Sequence, residues 1–518
     1  MGTKSKKNDG RSSDLTLKWM LTTLGPEWEQ WQELAAEWMA TQHAAVHLKL
    51  KALSSFFESY LLECAPYAVD VGLFFKGYNS HYCSTEEFEA RMRKRISDAG
   101  SISVVINYSC VFIDYIIEHH LSEEDDSGNL TPLVRNPLSK IKTQGSHTET
   151  VRNPLPYRYI QNLRQILCPL PDKAELTVIK QNLPQGESLL PSYQYRHFKH
   201  WTWAQEQSGQ GKAGKSGDWF EVEPELIDKA DPDCVWRTKE VTRKGEEITL
   251  HQIWSPVKAM VIFMKLHLPL RTYQVRMLDS GEADTWRYEN SQWRLNDKHD
   301  FALGSEKRPF GKGIFRRIHD TMTGQYSTGL YVNTNKTADQ NKSELERGYI
   351  IPWQNEEVLY WLEKLRNWQE KYNPIAKPTD CTTLLTKHTR SKKSQTQLES
   401  MGGITFIFRD ASAKDGDRSK PIRYQAMAPF WYQLLLTLEN LIAEQGNTLD
   451  NGERLKLVVD YPEGTPEGAK FATNHPLHSL RVSLITAYTM DTQLPLPVIS
   501  KLLAGHSRIL MTIYYNKI

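Results

Sequence analysis

Three short strings near the C-terminus hold residue types that can break a phosphodiester bond. His478-Ser-Leu-Arg481 comes first, then Gly505-His506-Ser507, with His506 placed 25 residues after Arg481 (506 − 481), then Tyr514-Tyr515, eight and nine residues after His506. Each string alone carries little, since a lone histidine or tyrosine on a helix is usually core or surface. Order and spacing carry more. Breaking such a bond without a metal needs planar donors for the charge that grows on the non-bridging oxygens, which arginines supply. It needs a nucleophile, and a tyrosine hydroxyl with a reference pKa of about 10 must have a base or a strong positive field beside it. The departing oxygen needs a proton donor, a role open to Lys or His.

The elements that must position these groups are read from periodicity. Leu477–Tyr488, Pro497–Leu503 and Ile509–Tyr515 are predicted helices, as are Tyr157–Leu167, Ser255–His267, Asn355–Tyr372 and Ala428–Glu444. Gly329–Thr334 and Gly348–Pro352 read as two strands around a polar turn, and Ile404–Arg409 as a short apolar strand. Nearer the N-terminus, two amphipathic helices are expected between Pro26 and Cys64, a third at Thr85–Ser97 opened by Ser84, and a fourth at Val104–His120. Four parts follow: a basic flexible tail (1–24), a helical domain (25–125), a linker (126–154) in which the string VRNPL occurs twice, and a large domain (155–518). The fold class is mainly α with a small antiparallel β-sheet.

Here the sequence resembles the tyrosine recombinase family, which includes phage integrases, chromosome-dimer resolvases and relatives of type IB topoisomerases. That family carries an arginine after a helix, a lysine on a β-hairpin, HxxR, a Gly-His turn and a tyrosine nine residues beyond the His. Leu270-Arg271-Thr-Tyr-Gln274-Val-Arg-Met-Leu follows the predicted helix as the first-arginine box, and Tyr331-Val-Asn-Thr-Asn-Lys336-Thr337, leading to Gly348-Tyr-Ile-Ile-Pro352, resembles the lysine hairpin. The spacing from His506 prefers Tyr515 over Tyr514, while Arg276 remains an alternative to Arg271.

The resemblance implies that Arg271 and Arg481 clamp the scissile phosphate and that Lys336 protonates the leaving oxygen. His478 would accept or relay the tyrosine proton, and His506 would hydrogen-bond the phosphate. Tyr515 would hold the strand as a 3′-phosphotyrosine. Because that ester keeps the bond energy, no metal, ATP or other cofactor is called for. The implied architecture is a helical core-binding (SAM-like) domain and an α+β catalytic domain closing around double-stranded DNA, acting as a homo-tetramer, with other recombinase or accessory subunits as further partners. The implied activity is site-specific recombination by the integrase or transposase of a mobile element. The alternative is a recombinase-derived DNA-binding accessory protein without strand exchange.

Several positions depart from the family pattern. Gln274 stands where an acid is usual, and Val482 where a second His is frequent. Arg271 and Arg481 lie 210 residues apart (481 − 271), which implies insertions such as Asn290–Gln325 and Pro374–Gly403. Asn516, Lys517 and Ile518 alone follow Tyr515, where relatives often have a tail helix that docks on a neighbouring subunit, so the expectation is either that the chain is cut short or that its assembly uses another contact.

Composition narrows the remaining possibilities. A net charge of +2, from 64 basic and 62 acidic residues, gives no global basic signal, so any DNA-binding surface must be local. Basic clusters stand at Lys4, Lys6, Lys7 and Arg11, at Arg91, Arg93, Lys94 and Arg95, and at Lys387, Arg390, Lys392 and Lys393. Six scattered cysteines without a CxxC pair point to reduced thiols in a cytoplasm rather than to zinc. The expectation is a cytoplasmic, DNA-associated bacterial protein with no run of about 18 apolar residues and no membrane partner. Gly209-Gln-Gly-Lys-Ala-Gly-Lys215-Ser216 matches a phosphate-loop string, but no apolar strand precedes it and no convincing helix follows, so a flexible linker is expected there.

Overall fold

The computed structural model describes residues 14–504, except 43–44, 65–67, 76–83, 97–98, 125–129, 142–152, 185–191, 209–216, 335–347, 354, 390–392, 394, 415, 450, 461–470 and 492–494. The described residues fall into two compact units, one within Met1–Thr148 and the other within Glu149–Ala338 and Lys342–Ile518. The class is mixed α+β: helices are joined by several small antiparallel sheets, more than the single sheet expected.

In the first unit, α1 (Glu29–Ala40) turns Trp31, Ala35 and Trp38 inward from one stripe. Then α2 (Val46–Ser55) runs into a π-helical turn, Phe56–Leu61, that also buries Tyr60. The Trp31 ring meets Phe56, Phe74 and Phe112 at 5.9, 5.2 and 6.3 Å, and its indole N–H donates to the Ala68 carbonyl at 2.7 Å. Ser84 opens α3 (Thr85–Arg95) as expected: its hydroxyl accepts from the Glu87 N–H, and the Glu87 carboxylate accepts from the Ser84 N–H at 2.9 Å.

The core is completed by α4 (Ala99–His120), where the expectation of no membrane-length apolar run needs correction. Gly100–His120 has a mean hydropathy of 1.6 and is long enough to cross a membrane by length and composition. It packs in the unit's core, with Ile102, Val105, Ile106, Phe112, Ile113 and Ile116 buried, so apolar residues on several of its sides have protein partners. Part of the segment read as a linker is fastened to this helix. After the hairpin β1 (Ser122–Glu124) and β2 (Leu130–Pro132), Asn136 donates to the Cys110 carbonyl and Asp114, Asn107 exchanges two hydrogen bonds with Ile141, and Leu138 is buried.

The second unit is built around α6 (Val257–His267), almost every residue of which is buried. Four helices pack against it: α5 (Tyr157–Leu167), α8 (Glu356–Tyr372, capped by Asn355), α9 (Met427–Glu444) and α10 (Ser479–Asp491). Leading into α6 is a three-stranded antiparallel sheet, with β5 (Glu246–Trp254) between β3 (Trp219–Glu221) and β4 (Trp236–Arg243). This sheet has no counterpart among the sequence-based expectations. Most of β4 and the first half of β5 face solvent, so the apolar alternation that reveals a half-buried strand is absent.

After the short helix α7 (Thr272–Arg276) comes a hairpin of β6 (Trp286–Glu289) and β7 (Gln292–Leu295). The expected strand pair is present as β9 (Tyr326–Val332) and β10 (Tyr349–Ile351), with a third strand, β8 (Phe315–His319), added from the stretch read as an insertion. Ile404–Arg409 makes only a two-residue pairing at Gly403–Ile404 and isolated bridges at Phe406 and Arg409, although all six residues are buried. The predicted helix Ile509–Tyr515 lies outside the described residues, as does the phosphate-loop string. The flanks of that string run helix (Thr202–Gln207) then strand (Trp219–Glu221), the reverse of the order a phosphate loop requires.

Candidate active site

The site grows from the turn that ends α6. Leu268 precedes Pro269 and is extended (φ −120°, ψ 134°), as a residue before proline must be, and this stops the helix. Two buried cations then hold the carbonyls that follow. Lys265 Nζ, 0% exposed, donates to the Leu270 carbonyl at 2.9 Å, and Arg481 Nη1, also 0% exposed, donates to the Pro269 carbonyl. The next residue, Arg271, is the N-cap of α7. Gln274, in the position where an acid was anticipated, accepts from the Arg271 N–H at 3.0 Å and donates to the Thr334 carbonyl at 2.9 Å. Asn333 donates to the Met277 carbonyl at 2.8 Å, so the end of β9 is tied to the first-arginine box at two points.

Arg481 lies on α10. Besides Pro269, it holds the Ala504 carbonyl through Nη2 at 2.8 Å, bracketing the first-arginine turn to the residue just before Gly505-His506. Arg271 is half-buried, and its Nη1 is covered with no hydrogen-bond partner among the described residues. Arg276, the alternative within the same box, is fully buried, with Nε on the Ile422 carbonyl at 2.6 Å and Nη2 on the His388 carbonyl at 2.5 Å, a structural latch rather than a presented group. His478 is half-buried at the start of α10, where its carbonyl accepts from the Arg481 N–H. Lys336, His506, Tyr514 and Tyr515 lie outside the described residues, so the structure brings together Arg271 and Arg481 of the expected set.

Sequence reasoning missed two groups here. Lys265 is a lysine inside an otherwise apolar run, VIFMKLHLPL, which is the signal that could have found it. Tyr349, on β10, has its hydroxyl covered, and both Arg271 and Arg481 act on it electrostatically. Its burial raises the phenol pKa, and the two guanidiniums and the Gln274 amide oppose that rise.

Burial, then the charge of Arg481, push the Lys265 ammonium down to about 7. The unfolded chain keeps its proton up to about 10.4, so between about pH 7 and 10 the unfolded state binds more protons and stability rises with pH. Urea titrations at pH 7, 8 and 9 are expected to show this rise, at no more than about 1.4 kcal/mol per pH unit, and Lys265→Met is expected to flatten it. An equal slope in the two proteins would assign the effect elsewhere.

The basic clusters are less open than their composition implies. Arg91 and Arg95 both pair with Glu63, and Arg93 pairs with Glu89 at 2.5 Å. Lys387 pairs with Asp417, and Lys393 lies over the Tyr273 ring at 5.4 Å, beside the first-arginine box. Lys4, Lys6, Lys7, Arg11, Arg390 and Lys392 lie outside the described residues. Cys110, Cys168 and Cys234 are buried free thiols, and Cys381 is buried as well. One cluster, Glu282, His299 and Glu370, has metal-ligand proximity, with ligand atoms within 4.8 Å of one another. Its carboxylates are taken by cations: Glu282 by Arg409, and Glu370 by Arg287 and Lys298.

Comparison with known proteins bears on the same segments. No curated protein and no solved structure matches the chain. A family model described as "Putative integrase" matches residues 26–190 and 185–382, a span of 357 residues (382 − 26 + 1) out of 518, which takes in most of the first unit, the turn bearing Arg271 and the segment containing Lys336. With more than half its length matched, and with its first-arginine turn inside the matched span, the chain belongs to this integrase family.

Proposed function

We propose that this integrase is a site-specific recombinase of the tyrosine kind, which cuts and rejoins double-stranded DNA through a 3′-phosphotyrosine on Tyr515. The observation that supports it most is the Arg481 bracket: one guanidinium spans the Pro269 carbonyl, two residues before Arg271, and the Ala504 carbonyl, two residues before His506. Two segments far apart in sequence thus meet at one guanidinium, a convergence that supports this reading. Arg271 and Arg481 supply bidentate donors for the phosphate oxygens, Lys336 gives a proton to the leaving oxygen, and His478 and His506 serve the nucleophile and the phosphate. The retained ester bond makes ATP and metal unnecessary. The working form is a tetramer on DNA from a mobile element, in a bacterial cytoplasm.

One observation favours a second reading. Both Arg481 Nη atoms are committed to carbonyls, a state that serves structure and must rearrange before a phosphate is clamped. A DNA-binding accessory protein without strand exchange would need no such change. Nicked suicide duplexes from the ends of the element separate the two: the wild type is expected to form an SDS-stable adduct that Tyr515→Phe abolishes and Tyr514→Phe keeps. Tight binding to those ends with no adduct would leave the accessory reading standing.

A further inference from the structure

We propose that the Tyr349 hydroxyl is a third donor to the phosphate oxygen received between Arg271 and Arg481, and therefore a catalytic residue beyond the six named above. The assignment rests on the recombinase reading and adds to it. Tyr349 lies directly across from Val332 in the β9–β10 pair, so its side chain leaves the sheet on the face shared by Val332, Leu330 and Ile351, all buried. Gln274 of the first-arginine box binds the Thr334 carbonyl at the end of β9, and Arg271, Arg481 and the Gln274 amide all act on the Tyr349 hydroxyl.

Among the covered groups here, Arg271 Nη1 and the Tyr349 hydroxyl find no acceptor among the described residues; the Gln274 amide that acts on Tyr349 does so as a donor. An unsatisfied buried donor is costly, and two of them within one electrostatic neighbourhood point to a ligand that accepts from both. The surrounding charges give the sign of that ligand: Arg271 and Arg481 are guanidinium cations, and Gln274 is neutral where the family has an acid. An oxyanion accepts from both donors at once and is favoured beside two guanidiniums. Burial keeps Tyr349 protonated at neutral pH, the form that donates rather than attacks.

The test uses full-length protein and two readouts. Inorganic phosphate is titrated by calorimetry into wild type, Arg271→Ala and Tyr349→Phe, and the cleavage rate on nicked suicide duplexes is measured beside DNA affinity. Tyr349→Phe removes one oxygen and is expected to keep the melting temperature. It is also expected to weaken phosphate binding about 5- to 10-fold and to slow cleavage about 100-fold, the loss typical of one oxyanion donor, with DNA affinity unchanged. Phosphate affinity equal to wild type, no phosphate binding by the wild type, or a parallel loss of melting temperature and DNA affinity would each overturn the assignment. Phosphate binding that depends on Tyr349, in a protein that forms no adduct, would keep the donor and sink the recombinase reading instead.

Discussion

Arg271→Ala is expected, on the recombinase chemistry proposed above, to slow formation of the covalent adduct by about 10³-fold while changing DNA affinity little, because in that chemistry one guanidinium would serve the growing charge of the transition state and many other contacts would serve the duplex. The turn that carries Arg271 does not depend on its guanidinium. Lys265 and Arg481 hold the Leu270 and Pro269 carbonyls, and Gln274 caps the Arg271 backbone N–H, a bond alanine preserves. Arg271→Lys is expected to recover only a small part of the rate, since an ammonium cannot make the bidentate contact. Single-turnover cleavage on suicide duplexes, with filter binding in parallel, checks this. A tenfold fall in affinity at an unchanged cleavage rate would move Arg271 from the chemistry to duplex binding. The same series on Arg276 is expected to change stability first, as its guanidinium braces the Ile422 and His388 carbonyls in the core.

Glu282→Ala is expected to cost about 3–5 kcal/mol of stability, the range for stranding one partner of a buried ion pair. Arg409 and Glu282 are 0% and 1% exposed at the side chain and meet at 2.6 Å, and Arg409 also donates to the Asn373 carbonyl at 3.0 Å. Removing Glu282 leaves a full positive charge in the interior with carbonyls as its remaining company. The double change Glu282→Leu with Arg409→Met is expected to regain most of the loss, because it takes out the charge along with its partner. Urea unfolding followed by tryptophan fluorescence measures both. If the double variant were less stable than Glu282→Ala, the stabilisation would belong to the arginine–carbonyl contacts and not to the ion pair.

Much of the helical scaffold was legible from local pattern. Tyr157–Leu167 matches its expected bounds, Asn355 caps α8, and Ser84 makes the capping box its spacing to Glu87 announces, because caps and amphipathic stripes are set by residues within one or two turns. The strand β10 was legible as well, as the partner expected for β9 across a polar turn. The β3–β5–β4 sheet was not, since the largely exposed β4 lacks a period-2 apolar signal, and neither was β8, whose Phe-Arg-Arg-Ile-His sequence shows no apolar alternation. The first half of the supposed linker read as polar because its hold on α4 runs through Asn107 and Asn136, whose hydrogen bonds leave no hydrophobic trace.

For the site, the sequence by itself determined which residue types stand in which order: Arg271, then Lys336, His478 with Arg481, His506, and the tyrosine pair. Only the tertiary structure decided that Arg276 is fully buried against the Ile422 and His388 carbonyls while Arg271 is half-buried, that Lys265 and Tyr349 share the surroundings of Arg271, and that Arg481 bridges to a carbonyl 212 residues away. The physical reason is that these choices are made by backbone carbonyls. Every residue carries one, so a string of side chains holds no sign of which carbonyl will lie beside which cation until the fold has brought them together.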